Sequence, residues 1–415
     1  MTPEARASLE DIVRSELRDL PVESHDAEDG HPLVVTPYGP AEALAAIDVL
    51  LSTRVTMGEQ TRAFEAEWAH WCDPTGDARH AVMVNSGSSA NLLLLSGLVE
   101  IGALQKGDEV IVPAVGWSTS LFPIAQAGLV PVVVDVHPAT LNLDPAAVAA
   151  ARGPRTRAVL AVHLLGQPVD LDDPAFDGLI RLEDACGAHG ATVRGRRVGA
   201  LGDGATFSFF FSHHITTIEG GMVVTRDAAL ADAMRSLRAH GWVRERSDRT
   251  ALAEQNPDVD PRFLFVSAGY NLRPTDLQAA FGRVQLGRLD AWVARRRANH
   301  AAWCALVGGL EGHTVFPESP GCTHAGFAFP FLLPPGRPRA DAIAALAARG
   351  IETRAISAGN LVRQPAFARI DARVAGALPV ADAVHSRGLF VGNSHAFTSI
   401  HGERLARALA DWSAA

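Results

Sequence analysis

Four stretches of the chain carry side chains with the means for chemistry. Asn85-Ser86-Gly87-Ser88-Ser89-Ala90-Asn91 joins a short apolar run, AVMV, to a helical one. Gly87 permits a tight turn, and the amides after it leave a helix N-terminus beside hydroxyls, a ready site for a phosphate. The plainer use of the same residues is a serine N-cap. Glu183-Asp184 closes the apolar run LIRL, and the carboxyl end of a parallel strand is where such sheets bind ligands. There Asp184 can hold a protonated ring nitrogen by a charge-assisted hydrogen bond, or simply cap the next turn. The aromatic stretch TFSFFFS runs into His213-His214 and then Gly220-Gly221. Adjacent side chains do not share a face, so the two histidines make a poor metal pair on their own. A satisfied structural histidine is the plain alternative for either, more so for His214. Trp117, in PAVGWSTS, lies just past a strand end, placed to stack on a flat ring.

The elements that must position these residues alternate along the chain. AVMVNS, EVIVPAV, VPVVVDV and AVLAVHLLG read as short buried strands. SSANLLLLSGLVEIGAL, SLFPIAQAG and DPAAVAAAR read as helices between them. LIRLEDAC, ATFSFFFS and GMVVT continue the strand pattern. The class is therefore α/β, a mostly parallel sheet with both faces covered. Residues 1–30 read as an appended arm, an amphipathic helix followed by a polar loop, ahead of a large domain over 31–295. After the long helical stretch RPTDLQAAFGRVQLGRLDAWVARRRANHAAWCALV the rhythm changes. GFAFPFLL, RADAIAALAARGI and ETRAIS read strand–helix–strand, a smaller α+β domain over 296–415.

Composition narrows the function. The 415 residues are 47% hydrophobic and 20% charged, enough for a sizeable core. With 37 Lys+Arg against 46 Asp+Glu, the net charge of −9 disfavours nucleic-acid binding. Four scattered cysteines without a CxxC pair fit a reducing compartment, the cytoplasm, and offer no zinc knuckle, so no metal is expected. No apolar run has the length to span a bilayer, and the first residues lack the pattern of a signal peptide. The chain has a single lysine, Lys106, in the polar turn LQKGDEV. Any chemistry that needs an amine must use Lys106 or do without.

Taken in order, MGE, VNSGSSANLL, VPAVGWSTS, VVVDVHPATLNLDP, HLLGQP, LEDACGAHGA, FSFFFSHHITTIEGGMVVT and GYNLRPTDLQAAFGRVQL resemble the sugar aminotransferase superfamily named after DegT, DnrJ, EryC and StrS. The resemblance runs from about residue 32 to the C-terminus. It implies the fold-type I architecture of pyridoxal 5'-phosphate (PLP) enzymes, with a mostly parallel seven-stranded sheet, a smaller C-terminal domain and a homodimer. It implies that Gly87, Ser88 and Ser208 hold the cofactor phosphate and that Trp117 stacks on the ring. It places Asp184 at the ring nitrogen, Gln167 beside the ring oxygen, and Asn271 on the phosphate of the neighbouring subunit.

One position departs from the superfamily pattern, which reads roughly SFxxTKNxTTGEGG. Here the stretch is SFFFSHHITTIEGG, and His213 stands in place of the lysine that ordinarily binds the cofactor covalently. An imidazole cannot form that link but moves protons near neutral pH. The swap is the mark of the superfamily's sugar 3-dehydratase branch. It implies a cofactor resting as pyridoxamine 5'-phosphate (PMP), His213 as the acid/base at the cofactor's C4' carbon, and loss of the C3 hydroxyl from a nucleotide-linked 4-keto-6-deoxyhexose. An amino donor, glutamate by analogy, restores PMP. A sister branch acts on a CDP-linked sugar with an iron–sulfur cluster, which needs closely spaced cysteines that this chain lacks. A CDP-hexose 3-dehydratase without the cluster, or an aminotransferase-like enzyme acting on another ketone in natural-product biosynthesis, are the alternative readings.

Overall fold

The computed structural model describes residues 2–17, 30–35, 37–74 and 80–414. Its centre is an eight-stranded sheet. In spatial order the strands are His80–Val84, Gly221–Thr225, Gly204–Ser208, Ile180–Asp184, Thr156–Val162, Glu109–Pro113, Val130–Val134 and Arg373–Val374. Only Gly221–Thr225 runs antiparallel to its neighbours. Nearly every residue of the seven long strands is buried, as expected of a sheet covered on both faces. Separate apolar clusters lie against its two faces, one around Leu93, Leu94 and Leu121, the other around Trp68, Phe176 and Phe207.

The eighth strand corrects the expectation of seven. It comes from the C-terminal part of the chain. Arg373, on this two-residue strand, clamps the sheet edge by donating to the Glu109 carboxylate at 2.8 Å. The same carboxylate accepts from Thr156, so the strand is pinned by a charged pair that periodicity does not show.

The helices Pro40–Ser52 and Glu59–Cys72 flank the turn at TMGE, and Pro3–Glu16 is helical as its pattern predicts. The polar loop expected after it lies mostly outside the described residues. The helix Leu289–Gly308 runs through position 295/296. Beyond it lies a four-stranded antiparallel sheet, ordered Thr314–Val315, Ala328–Leu332, Gly388–Gly392, Thr353–Arg354. The strand–helix–strand reading is present, but its two strands are not neighbours. Gly388–Gly392, a strand absent from the pattern read in the sequence, inserts between them. Among the described residues no helix is long and apolar enough to cross a membrane.

Candidate active site

A cavity of about 740 Å³ opens at the carboxyl ends of the parallel strands, where the smaller sheet closes over the larger. Gly87, Ser88, Trp117, Asp184, Ser208 and His213 all line it. These residues are separated by up to 126 positions in sequence and meet because each follows the end of a strand or starts a helix.

At one end lies the N-terminus of the helix Gly87–Glu100. Ser86 is its cap, and its hydroxyl accepts from the Ser89 amide at 3.1 Å. Ser88 Oγ donates to Thr119 Oγ1 at 3.1 Å. The capping and anion-site readings thus coexist in one motif. Gly87 owes its identity to close packing, since it is absent from the positive-φ glycines and a Cβ there would lie 2.6 Å from Ser208 Cβ and 3.0 Å from Cys186 Sγ. Only glycine lets the helix start come within reach of Ser208, whose buried hydroxyl closes the strand Gly204–Ser208 and accepts from the Phe210 amide at 3.3 Å.

Asp184 is fixed by three donors. Its Oδ2 accepts from Ser120 Oγ at 2.6 Å and Asn91 Nδ2 at 2.9 Å, and its Oδ1 from the Cys186 amide at 3.1 Å. Asn91 Oδ1 in turn accepts from Thr206 at 2.7 Å. Sequence reasoning gave Asn91, Thr119 and Ser120 no role, although all three lie in stretches it singled out. Trp117 is the residue just before the helix Ser118–Gln126, is 61% exposed, and lines the cavity.

The aromatic strand divides where it leaves the sheet. Phe207 and Phe209 are buried, whereas Phe210 and Phe211 are exposed on the cavity wall. His213 follows, its ring 5.1 Å from that of Phe327 and its Nδ1 without a hydrogen-bond partner. Burial pulls its pKa down to about 4; the Asp184 charge opposes this and the Arg296 charge adds to it. At neutral pH the imidazole is therefore uncharged.

His214 is different in kind. Its Nε2 meets the Ala325 carbonyl at 3.1 Å, and its Nδ1 meets His189 Nδ1 at 3.0 Å. A carbonyl only accepts, so Nε2 carries the hydrogen and Nδ1 accepts from His189. Both nitrogens are engaged, and burial holds the pKa of both His189 and His214 well below the usual value.

Two expected residues do not join this cluster. The turn Leu164–Gly166, with Leu165 at φ 51°, carries Gln167 behind the wall, where its Nε2 donates to Ser319 Oγ at 2.7 Å. His163, rather than Gln167, faces the cavity there, held by Glu183 at 3.0 Å and the Val169 amide at 2.9 Å. Asn271 lies on a second cavity of about 460 Å³ with Arg62, Arg235, Arg244 and Arg273. Its Oδ1 accepts from Arg273 Nε at 3.0 Å. Lys106 is exposed on its turn, and the cavity contains no lysine.

Arg296 and His395 also line the cavity. Sequence reasoning passed over both, because Arg296 sits in the run RRR, which reads as a solvated helix face, and His395 lies in no recognisable motif.

The helix N-terminus, the anchored carboxylate and the exposed indole thus line one cavity at the carboxyl ends of the parallel strands. The chain belongs to the DegT/DnrJ/EryC1/StrS aminotransferase family, whose profile matches residues 39–410. It is 37% identical to a dTDP-4-dehydro-2,6-dideoxy-D-glucose 3-dehydratase of Saccharopolyspora spinosa, over 94% of this chain and 88% of that one. It is 36% identical to a GDP-4-keto-6-deoxy-D-mannose 3-dehydratase of Yersinia pseudotuberculosis, over 87% of this chain and 93% of that one. A crystal structure of GDP-4-keto-6-deoxymannose-3-dehydratase with a trapped PLP-glutamate geminal diamine superposes with a TM-score of 0.84 at 33% identity, covering 91% of this chain and 100% of that one.

Proposed function

We propose that this chain is a PLP/PMP-dependent lyase that removes the C3 hydroxyl from a nucleotide-linked 4-keto-6-deoxyhexose, leaving a 3-deoxy-4-keto sugar. The observation that carries this reading is His213, uncharged on the cavity wall with its Nδ1 free, at the place of the family's lysine, while the only lysine of the chain is exposed on a turn outside the cavity. Two relatives that match most of the chain are sugar 3-dehydratases.

The residues present fit the cofactor. The cradle at Gly87, which a Cβ would fill, and the hydroxyls of Ser88 and Ser208 would hold its phosphate. Asp184, oriented by Ser120, Asn91 and Cys186, would take the ring nitrogen, and Trp117 one ring face. When bound, the cofactor supplies an amine for the ketone and a sink for the electrons that leave the C–H bond.

His213 moves the proton. Its neutral imidazole accepts one as the hydrogen leaves, and the imidazolium returns it to the departing C3 hydroxyl, which leaves as water. Phe327 and Phe210 pack against that imidazole, with ring centroids 5.1 and 6.1 Å away. Gln167 has no role in this reading.

An amino donor restores PMP, and the relative's bound glutamate supports glutamate here. We further propose a cytoplasmic homodimer in which Asn271 and its arginines complete the partner's cofactor site. Free cysteines and the separation of the two cavities within one chain support it. The test incubates the PMP form with GDP-, CDP-, dTDP- and UDP-linked 4-keto-6-deoxyhexoses, with and without a C2 hydroxyl, and follows loss of water by mass spectrometry. Absence of dehydration across the panel would overturn the reading.

A further inference from the structure

Arg296 projects from the helix Leu289–Gly308 into the wall of the main cavity and is only 6% exposed. Its Nη1 donates to the carbonyls of Phe327, at 3.3 Å, and Asn393. Its Nε has no partner. No carboxylate among the described residues pairs with it, and burial pulls its pKa down to about 10. A buried, uncompensated guanidinium is expensive to keep, and what ordinarily offsets that cost is an anion.

A second unsatisfied group shares the wall. His395 is 8% exposed, its ring stacked on the Trp292 indole with centroids 4.3 Å apart, and neither of its nitrogens has a partner. The Arg296 charge reaches both His395 and His213 and lowers the pKa of each. Geometry links the three groups: Arg296 holds the carbonyl of Phe327, whose ring lies 5.1 Å from that of His213, and the carbonyl of Asn393, two residues before His395, and all three line the same cavity.

We infer that Arg296 and His395 form a carboxylate subsite that receives the α-carboxylate of the amino donor. The inference rests on the functional reading above and adds to it where the donor binds. Of the two reactants in that reading, both carry anionic groups, but at different distances from the reacting centre. The diphosphate of a nucleotide sugar is separated from its C4 ketone by the hexose ring. The α-carboxylate of an amino acid is one bond from the carbon that bears the amine. An anion bound close to His213 is thus the donor's carboxylate. A planar guanidinium beside an imidazole N–H matches a planar, singly charged carboxylate.

The test is a ratio measured within each protein. The PLP form of wild type, Arg296→Gln and His395→Gln is mixed with L-glutamate or with 4-aminobutyrate, which lacks the α-carboxylate. Conversion to PMP is followed by absorbance in a single turnover. The preference for glutamate, as a ratio of kcat/KM values, should fall about 10–100-fold in each variant, the usual loss with a charge-assisted hydrogen bond. Damage to folding would slow both donors alike and leave the ratio intact, so an unchanged ratio overturns the subsite. In a second arm, PMP-loaded variants receive the nucleotide-linked 4-keto sugar. If its half-saturating concentration rises while the donor ratio holds, the anion is the diphosphate and the inference is wrong. A wild type that prefers glutamate but dehydrates no sugar sinks the functional reading and leaves the subsite standing. A wild type that dehydrates sugar but does not distinguish the donors does the reverse.

Discussion

Replacing His213 with asparagine separates proton transfer from everything else the site does. The ring is half-buried, its Nδ1 makes no hydrogen bond, and its contacts are the edges of Phe327, Phe210 and His189. No hydrogen-bond network depends on that nitrogen, so His213→Asn should shift stability by no more than about 1 kcal/mol, the ordinary cost of a modest packing change. Cofactor retention should also persist, because Gly87, Ser88, Trp117, Asp184 and Ser208 are untouched. Dehydration should fall about 10²–10⁴-fold, the range for losing a positioned acid/base, which is about 2.7–5.4 kcal/mol of barrier. The matched control is His214→Asn. It breaks the His189–His214–Ala325 chain of hydrogen bonds and should cost stability more than chemistry. The assay is single-turnover release of water-depleted sugar from PMP enzyme, beside urea unfolding of each variant. If His214→Asn abolishes turnover while His213→Asn keeps most of it, the assignment of the base is wrong.

Borohydride treatment of the PLP form should leave no cofactor attached to the chain, since Lys106 is exposed and outside the cavity; a pyridoxyl-modified Lys106 peptide would contradict this. Asn271→Ala should weaken cofactor retention in a dimer while leaving the unfolding midpoint nearly unchanged, and a fully active monomer by sedimentation would refute the shared site. Acid should unfold the protein early. Buried His31 and His300 are held at about 4 and His395 at about 3, chiefly by burial, against about 6.5 when unfolded. These are lowered values, so the stability is present above about 6.5 and lost as pH falls toward about 4, at about 1.4 kcal/mol per pH unit for each histidine. From pH 7 to pH 5 the three together remove about 5 kcal/mol. A urea midpoint that does not move over that interval, or unfolding at pH 5 without proton uptake, would show that these histidines are not buried in the neutral form.

The parallel sheet was legible because its strands are short, continuously apolar and punctuated by Gly, Pro and Asp, a pattern few other arrangements produce. The eighth strand was not. Arg373–Val374 has no pattern of its own and is held by Arg373 on Glu109, a contact between residues 264 positions apart. Gly388–Gly392 escaped for a related reason. Its five residues begin and end in glycine, and the pairing of two other strands against them is what makes them a strand. Gly87 was legible as special, but its reason was not. The sequence shows a turn glycine, whereas the structure shows a contact with Ser208, from which it is 121 positions distant.

The same division runs through the site. Asp184, Ser88 and Trp117 are readable because each stands at a strand end or helix start, where local pattern and chemistry coincide, and His213 because it occupies the lysine position of the family motif. Arg296 and His395 are not, because their meaning lies in what they lack. An arginine in a run of three looks solvated, and only the fold shows that Arg296 turns inward to two carbonyls and meets no carboxylate among the described residues. That absence is costly, and a protein of marginal stability retains such a cost where binding returns it. The charge also works on the base: Asp184 and Arg296 pull the His213 pKa in opposite directions. An anion arriving at Arg296 would cancel its part, raising the proton affinity of His213. On the proposed reading, binding of the amino donor and the proton affinity of His213 would thereby be coupled through a residue that sequence pattern alone assigns to the surface.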